Sequence, residues 1–252
     1  MTEPDVHVDE GYADLSLARL YDAESPWHSQ DDFYLALDLA ADSVLDVGCG
    51  TGTRLVRARE VGHRGLLVGV DPAPGMLTIA RGKSTDIEWI PAAAQTLDLR
   101  RRFDLVTMTG HSFQTLLDDA SVMAALHRFR EHLQPGGLLA FETRNPEPCP
   151  WRNWTETQTR AQIEAPVGEP FETWVDDPRH VGTDLVTFTS ATLSQRTGAL
   201  RTSRCTLRFI EPNLLRDHLT TTGFRIEGWY GDWDRTPVTT TSPEVIVLAR
   251  PT

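Results

Sequence analysis

Two short apolar segments of the chain carry acidic residues near their ends. Residues 44–47 include Asp46 and lead into the turn Gly48-Cys49-Gly50-Thr51-Gly52, and residues 66–70 are closed by Asp71. Ligands of open α/β sheets bind beyond the carboxyl ends of the strands, and one carboxylate can accept hydrogen bonds from both hydroxyls of a ribose. The spacing predicts a nucleoside-binding crevice at the edge of a parallel sheet.

The glycine spacing indicates which kind of nucleoside binds. A dinucleotide fingerprint reads G-x-G-x-x-G and turns a helix N-terminus toward a pyrophosphate, whereas Gly48-x-Gly50-x-Gly52 is one residue tighter. Backbone N–H groups of the turn suit a carboxylate, and Asp46 suits an ammonium. We therefore expect a nucleoside with an amino-acid tail and disfavour a nicotinamide dehydrogenase. The alternative is a turn that merely joins strand to helix.

These residues resemble the class I S-adenosylmethionine (SAM)-dependent methyltransferases. Asp71-Pro72-Ala73-Pro74-Gly75-Met76-Leu77 is similar to the second motif of the family, Phe103-Asp104-Leu105-Val106 to the fourth, and Leu133-Gln134-Pro135-Gly136-Gly137 to the turn before the fifth strand. Together these motifs cover residues 43–143. The resemblance implies SAM as cofactor, bound by Tyr21, Trp27, Asp46, Gly48, Cys49, Gly50, Gly52, Asp71, Pro72, Met76, Ala93, Ala94, Gln95 and Thr109.

One position departs from the family pattern. Where the family commonly has an acid that accepts from the adenine amino group, this chain has Ala93. Adenine recognition is then expected to involve the backbone around Ala94 and the side chain of Gln95. Tyr21 and Trp27 precede the first strand and are predicted to cover the cofactor, since in the family such a segment often folds over it.

His111 is the candidate catalytic residue. It follows the fourth predicted strand within Thr109-Gly110-His111-Ser112, where the resemblance places the substrate next to the methyl group. A neutral imidazole suits a general base near neutral pH. The alternative is a histidine that forms local hydrogen bonds or lines the methionine end of the cofactor.

Charged and aromatic residues at two other strand ends are candidate substrate contacts. Arginine can bind a carboxylate through two parallel hydrogen bonds, and an aspartate can hold an ammonium. The alternative is that these charges pair with each other, Glu142 with Arg144 and Asp234 with Arg235. The candidates are Glu142, Arg144, Tyr230, Asp232, Asp234 and Arg235.

Composition narrows the possible partners. The 252 residues include 24 basic and 36 acidic side chains, for a net charge of −12, which disfavours a nucleic-acid partner. Three widely spaced cysteines and the spacing of the histidines predict neither a disulfide framework nor a metal site. The first ten residues lack a signal-peptide pattern and no apolar run reaches membrane-spanning length, so we expect no membrane partner and a cytoplasmic protein.

The pattern of the middle of the chain predicts the fold. Nearly continuous apolar runs at residues 44–47, 66–70, 103–108 and 138–141 are typical of strands buried on both faces, and helical spacing between them ends at Pro135-Gly136-Gly137. This predicts an α/β fold with a doubly wound, Rossmann-like sheet. In the family the sheet has seven strands with the last one antiparallel, which here corresponds to residues 224–229 and 244–249 after a helix at 211–222.

Two regions depart from the alternation of strand and helix. Residues 12–21 and 31–41 are predicted to form an N-terminal helical lid. After the fifth strand, residues 144–182 read as irregular, and residues 185–194 and 200–209 read as an antiparallel hairpin that covers the site. The expected organisation is a lid over 1–42, a SAM-binding core over 43–143, an antiparallel insertion over 144–210 and the rest of the core sheet over 211–252.

The sequence therefore predicts a SAM-dependent methyltransferase that acts on nitrogen or oxygen of a small molecule, with an amine slightly favoured. An insertion and an aromatic lid are typical of an enclosed pocket. One alternative is a methyltransferase for a protein side chain, which needs an open docking surface. Another is a nucleoside-binding protein without transfer activity. The sequence predicts no oligomeric state.

Overall fold

The protein is described by a computed structural model that covers residues 9–164 and 168–252. Within these residues the strands are β1 (Ser43–Val47), β2 (Leu66–Asp71), β3 (Glu88–Pro91), β4 (Phe103–Met108), β5 (Leu133–Arg144), β6 (Ala161–Glu164), β7 (Pro170–Val181), β8 (Leu185–Ser194), β9 (Leu200–Arg208), β10 (Phe224–Tyr230) and β11 (Glu244–Pro251). The α-helices are α1 (Glu10–Ala13), α2 (Leu15–Ala18), α3 (Tyr21–Glu24), α4 (Ser29–Leu39), α5 (Thr53–Glu60), α6 (Pro74–Lys83), α7 (Asp119–Glu131), α8 (Glu156–Thr159) and α9 (Pro212–Thr221).

Seven strands form one sheet in the order β3-β2-β1-β4-β5-β11-β10. The first five are mutually parallel, and β11 is antiparallel to both of its neighbours. The strand order reverses between β1 and β4, so the loops after these two strands diverge and open a crevice. This confirms the predicted doubly wound sheet and its antiparallel last strand.

The central strands are buried on both faces, as the apolar runs predict. Leu45 and Val68 belong to one core cluster, whereas Val44 and Leu67 belong to another. Because neighbouring side chains on a strand point to opposite faces, the two clusters lie on the two sides of the sheet. Helices α7 and α9 contribute to the first cluster, and α4, α5 and α6 to the second.

The insertion is a second sheet with the order β6-β7-β8-β9, all antiparallel. The predicted hairpin is confirmed as β8 and β9. The prediction of irregular structure up to residue 182 is wrong, since β6 and β7 lie in it. Pro178 does not prevent β7, because the register with β8 shifts between Asp176 and Arg179 and the proline lies in that bulge.

The N-terminal segment is more broken than predicted. Instead of one helix over residues 12–21, it forms three helices of four residues each. Asp14 divides the first two, because its carboxylate accepts from the backbone N–H groups of Ser16 and Leu17 and thereby starts α2. The segment packs on α6, where a Cβ at Gly75 would lie 2.7 Å from the carbonyl oxygen of Ala13. The second predicted helix is confirmed as α4.

The predicted helix end at Pro135 is also corrected. Helix α7 ends at Glu131 and β5 already begins at Leu133. The proline and glycines form a bulge inside β5, where the register with β4 changes from Phe103–Leu133 to Leu105–Leu138. Separately, in the part of the chain that the structure describes, no helix has the length and apolar character needed to span a membrane.

Candidate functional site

A cavity of about 410 Å³ lies between the carboxyl edge of the large sheet and the insertion sheet, β6–β9. Its volume is in the range of small-molecule sites. The cavity extends from the loops after β1 and β2, past the loop after β4, to the insertion sheet. Its lining includes Tyr12, Tyr21, Gly48, Gly50, Asp71, Pro72, Met76, Ala93, Ala94, Gln95, Thr109, His111, Arg144, Trp154, Val175, Phe188 and Leu207.

The turn after β1 forms one end of this cavity. Gly48 and Gly50 have φ values of +71° and +54°, a conformation that favours glycine. The N–H of Gly48 donates to the carbonyl of Val70 at 2.8 Å, which ties the turn to β2. A Cβ at Gly48 would lie 3.0 Å from Ser112, so the glycine also allows the loops after β1 and β4 to approach each other.

Asp71 is fixed at the same end by two backbone groups. Its Oδ2 accepts from the N–H of Gly50 at 2.9 Å and its Oδ1 from the N–H of Ala73 at 2.8 Å. Burial raises the pKa of this carboxyl above its ordinary value. Each carboxylate oxygen retains acceptor capacity, so the side chain is oriented to receive the two hydroxyls of a ribose.

Beyond Asp71 the cavity has a narrow, mainly apolar wall. Ala93 and Ala94 are 7% and 5% exposed, and they line the cavity together with Gln95, Pro72 and Met76. A short 3₁₀ turn begins here and the carbonyl of Ala93 accepts from the N–H of Thr96. The chain thus presents backbone and one amide side chain at the position where the family commonly has an acid.

Tyr21 covers the site from the N-terminal lid. Cβ atoms built at Gly50 and Gly110 would each lie 3.8 Å from its ring or hydroxyl, so Tyr21 bridges the loops after β1 and β4. The lid is fastened by Asp22, which is 2.5 Å from Nζ of Lys83 and accepts from the hydroxyls of Thr51 and Thr53. We call these four residues the lid latch.

His111 lies between the cofactor end and the insertion sheet. Its backbone is left-handed, with φ +59°, and its N–H donates to Oε1 of Glu142 at 2.7 Å. Its Nε2 is 3.0 Å from Oε1 of Glu244, whereas Nδ1 has no hydrogen-bond partner among residues 9–164 and 168–252. Burial and the nearby charge of Arg144 lower the pKa of His111 to about 4, so the imidazole is neutral near pH 7.

Glu244 is the functional residue that sequence reasoning missed. Burial raises the pKa of its carboxyl to about 8, and its contact with Nε2 fixes the orientation of the His111 ring. The first residue of β11 lies opposite Arg144, the last residue of β5, because the two strands are antiparallel. The antiparallel last strand predicted from the family was therefore a usable signal for this residue.

Glu142 does not lie in the cavity, which corrects its predicted role as a substrate contact. It is 1% exposed and accepts from the hydroxyl of Tyr34 and the N–H of His111. The alternative pairing of Glu142 with Arg144 is also absent from the described residues. Instead, Nη1 of Arg144 donates to Oε1 of Gln114 at 2.8 Å. Arg144 lines the cavity, and its contact with a substrate stays a prediction.

Asp46 points away from the cavity, so its predicted contact with an ammonium is corrected. Its Oδ1 is 2.6 Å from Nη2 of Arg54 and accepts from the hydroxyl of Thr107 at 2.9 Å. Arg54 also contacts the buried carboxylate of Asp38. The carboxylate of Asp46 is therefore used to join β1, β4 and α5 beneath the glycine turn.

Gly52 and Cys49 belong to the turn without lining the cavity. A Cβ at Gly52 would lie 2.3 Å from the ring of Trp89, so this glycine admits a core side chain and precedes α5. The thiol of Cys49 lies 3.8 Å from the carbonyl of Gly50, and burial raises its pKa well above the ordinary value. Trp27, 37% exposed, donates to Asp32 at 2.8 Å and lies outside the cavity, contrary to its predicted role as lid.

The loop after β10 also lies outside the cavity, which corrects four predicted substrate contacts. The ring of Tyr230 folds over Gly228, Asp232 accepts from the N–H of Trp233, and Asp234 accepts from the N–H of Thr236. Trp233 packs against the aromatic rings of α4. The loop is therefore held against α4. The guanidinium of Arg235 lies over the ring of Phe33 rather than beside Asp234.

The insertion sheet supplies side chains that the sequence did not identify as site residues. Val175, Phe188 and Leu207 of this sheet form an apolar wall with Trp154, which precedes the sheet in the chain, and Tyr12 contributes from the lid. Strands β8 and β9 were predicted, but which of their faces meets the cavity depends on how the second sheet docks. Within the described residues no group of three or more His, Cys, Asp or Glu is placed to hold a metal ion.

Comparison with known proteins adds an independent observation. Residues 44–137 match a family described as a methyltransferase domain. A dTDP-3-amino-3,6-dideoxy-alpha-D-glucopyranose N,N-dimethyltransferase of Streptomyces fradiae is 33% identical over 135 residues, which are 50% of this chain and 52% of that protein. The chain spans about half the length of the curated relatives it matches.

Solved structures share the fold over nearly the whole chain. The sugar N-methyltransferase KedS8 from Streptoalloteichus sp ATCC 53650 has a TM-score of 0.74 at 20% identity, covering 98% of this chain and 97% of its own. A SAM-dependent methyltransferase from Clostridium acetobutylicum ATCC 824 has a TM-score of 0.71 at 16% identity, covering 93% and 97%. At these identities the likeness concerns the fold alone. Residues 44–137 therefore contain a methyltransferase domain, and the motifs described above are similar to those of the class I SAM-dependent methyltransferases.

Proposed function

We propose that this protein transfers a methyl group from SAM to a nitrogen or oxygen atom of a small molecule. The observation that carries the proposal is one continuous cavity with Asp71 and the glycine turn at one end, His111 in the middle and the insertion sheet at the other end. Bound there, SAM supplies a sulfonium methyl group for an in-line displacement. Such a reaction depends mainly on positioning the acceptor and excluding water.

The residues at the cofactor end fit SAM. The fixed carboxylate of Asp71 suits the ribose hydroxyls, and the turn around Gly48 and Gly50 suits the methionine end. The narrow wall at Ala93 to Gln95 suits a flat adenine ring, with the side chain of Gln95 able to bond its amino group. Tyr21 closes this end against solvent.

His111 and Glu244 would accept the proton that the acceptor loses. The contact between Nε2 and Glu244 orients the ring, and Nδ1 remains available as a proton acceptor. An ionised carboxylate beside a histidine also stabilises the imidazolium form, so Glu244 gives this support as the pH approaches its raised pKa of about 8. An amine acceptor is favoured, because the relative from Streptomyces fradiae is named as an N,N-dimethyltransferase.

The volume of the cavity, about 410 Å³, favours a small molecule over a protein side chain, because a protein substrate needs an open docking surface. A nucleoside-binding protein without transfer activity would still bind SAM, but it would lack turnover with any acceptor. Two measurements separate these cases. Calorimetry measures the binding of SAM, and an activity assay with a panel of small amines and alcohols measures the release of S-adenosylhomocysteine. An absence of SAM binding by the intact chain would contradict the proposal.

Asp71→Asn is the matching variant for the cofactor site. The amide keeps the size of the side chain but donates through its nitrogen, so the substitution is expected to lower the affinity for SAM at least tenfold. Asp86→Asn, at an exposed position outside the cavity, serves as the control. Equal SAM affinity of the two variants would show that Asp71 does not hold the ribose.

A further inference from the structure

The acceptor end of the cavity contains one cationic side chain. Arg144 is the sole Lys or Arg among the described residues that line it. Its Nη1 donates to Oε1 of Gln114, which is 1% exposed and donates in turn to the backbone of Arg208. The guanidinium is thus held in place by a neutral partner. Its remaining N–H groups form no hydrogen bond within the described chain.

Arg144 is half-buried, and it differs in this respect from the two fully buried arginines Arg54 and Arg208. Arg54 and Arg208 each form ion pairs with two carboxylates, whereas no carboxylate in the described part of the chain forms an ion pair with Arg144. A buried charge without a counterion is costly. A protein tolerates that cost where a ligand supplies the opposite charge.

The acidic side chains around this end of the cavity already have partners. Asp9 also lines the cavity and hydrogen-bonds the thiol of Cys205. Glu244 lies opposite Arg144 across the strand pair, but its carboxyl contacts His111. Because burial raises the pKa of Glu244 to about 8, this group is mostly protonated at neutral pH. Glu142 accepts from Tyr34 and from the N–H of His111. Neither side chain neutralises the guanidinium directly.

The surroundings of Arg144 are apolar on the side of the insertion sheet. The ring of Trp154 lies 5.5 Å from Cζ of Arg144 and meets the ring of Phe188 edge-on at 4.9 Å. Val175 and Leu207 complete this wall. Charge–charge attraction is strengthened where apolar groups exclude water, and a guanidinium binds a carboxylate through two parallel hydrogen bonds.

We propose that the methyl acceptor carries a single carboxylate, which binds Arg144 while the nucleophile of the same molecule lies beside His111. This inference rests on the proposed methyl transfer. Arg144 and His111 line the same cavity, so both can contact one small molecule. One cation matches one negative charge, and the acceptor class is therefore an amino or hydroxy acid with an apolar body rather than a phosphate ester.

Binding of simple probes tests this directly. In the presence of saturating S-adenosylhomocysteine, acetate and phenylacetate are titrated into the intact protein beside acetamide, phenylacetamide and phenyl phosphate, and binding is measured by calorimetry. At least one carboxylate is expected to bind tenfold or more tightly than its amide and than phenyl phosphate. Arg144→Gln abolishes this preference, whereas Arg204→Gln, on the exposed side of β9, retains it.

Three results would overturn the proposal. The first is equal binding of carboxylates and amides, and the second is tighter binding of phenyl phosphate than of the carboxylates. The third is a tenfold loss of SAM affinity in Arg144→Gln, because this would place the carboxylate of SAM itself on Arg144. If SAM does not bind at all, the proposed function fails, and the same titrations without S-adenosylhomocysteine still decide whether Arg144 selects carboxylates. The two failures are therefore distinguishable.

Discussion

Gly52 combines two constraints in one residue. Its φ is +75°, and a Cβ at this position would lie 2.3 Å from the ring of Trp89. Gly198 has nearly the same φ, +71°, but a Cβ there would meet no atom within 4 Å. Alanine substitutions at Gly52 and Gly198 can therefore be compared to separate the cost of backbone strain from the cost of crowding against the core.

We predict that Gly198→Ala lowers the free energy of unfolding by about 1–2 kcal/mol, the cost of a left-handed alanine. Gly52→Ala is expected to cost a further amount of about 1–3 kcal/mol, because the ring of Trp89 must move. Urea unfolding of both variants measures the difference. Equal losses in the free energy of unfolding would mean that the ring of Trp89 moves aside without an energetic cost.

The second prediction at this scale concerns His111 and its partner. His111→Ala is expected to lower the turnover number about 10²–10⁴-fold, the usual contribution of a general base, with SAM affinity changed less than about twofold. Glu244→Gln keeps an acceptor beside Nε2 but removes the ionisable carboxyl group, so a smaller loss of turnover is expected. Steady-state rates and calorimetry check both. A full rate in His111→Ala with weakened SAM binding would make the histidine a cofactor contact.

At the residue scale, the positions of Asp71 and Arg144 followed from strand ends, and both residues line the cavity. Asp46 also lies near a strand end, yet it binds Arg54 instead. Nothing in the spacing of the motif reveals that a buried arginine from α5 occupies that carboxylate. The direction in which a side chain points depends on partners from other elements, which a linear pattern does not contain.

At the element scale, the lid is built from three helices of four residues, which are too short to be stable alone. Their attachment to the core includes the lid latch, Asp22 with Lys83, Thr51 and Thr53. Because Tyr21 of the same segment lies over the loops at the cofactor end of the cavity, we expect opening of this segment to speed the release of a ligand. We therefore expect the lid latch to slow the release of the ligand from the cavity.

We predict that Asp22→Asn releases S-adenosylhomocysteine about fivefold faster, since it removes an ion pair worth up to about 1 kcal/mol. Stopped-flow tryptophan fluorescence after displacement by excess SAM measures this rate. Asp217→Asn, at an exposed position on α9 far from the lid, is the control. Identical rates in the two variants would contradict a gating role for the lid latch.

Strands β1, β2, β4, β8 and β9 were predictable because their apolar runs or alternation are strong. Strand β7 was not, because Pro170 and Pro178 resemble loop residues. The structure places Pro170 at the start of the strand and Pro178 in a bulge, where a missing N–H costs no ladder hydrogen bond. The end of α7 was misplaced because Pro135 and two glycines also fit a bulge within a strand.

At the scale of the whole molecule, the buried pair His111 and Glu244 links stability to pH. The folded pKa of Glu244, about 8, lies above its ordinary value of 4.5, so this group favours the folded state less as pH rises from 4.5 to 8. The folded pKa of His111, about 4, lies below 6.5, so its contribution is lost as pH falls from 6.5 to 4. Between pH 4.5 and 6.5 the two groups change the stability of the fold in opposite directions. Above pH 6.5 only the ionisation of Glu244 still changes it.

We predict that the wild-type protein loses about 2 kcal/mol of stability between pH 6.5 and 8 through this carboxyl. Glu244→Gln removes the loss, so its melting temperature exceeds that of the wild type at pH 8. Glu227→Gln, in which the wild-type carboxylate pairs with Arg250 at the surface, retains the wild-type slope. Thermal unfolding from pH 5 to 9 measures all three, and parallel curves for Glu244→Gln and wild type would contradict the assignment.

The position of β11 between β5 and β10 has a consequence for biosynthesis. Glu244 comes 133 positions after His111 along the chain, and polypeptides emerge from the ribosome beginning at their N-terminus. While the segments before β11 are already outside the exit tunnel, the edge of β5 stays unpaired and the imidazole has no carboxylate beside it. The nascent protein thus reaches its competent arrangement only after β11 has emerged, and a chaperone that shields the exposed edge of β5 can act in that interval.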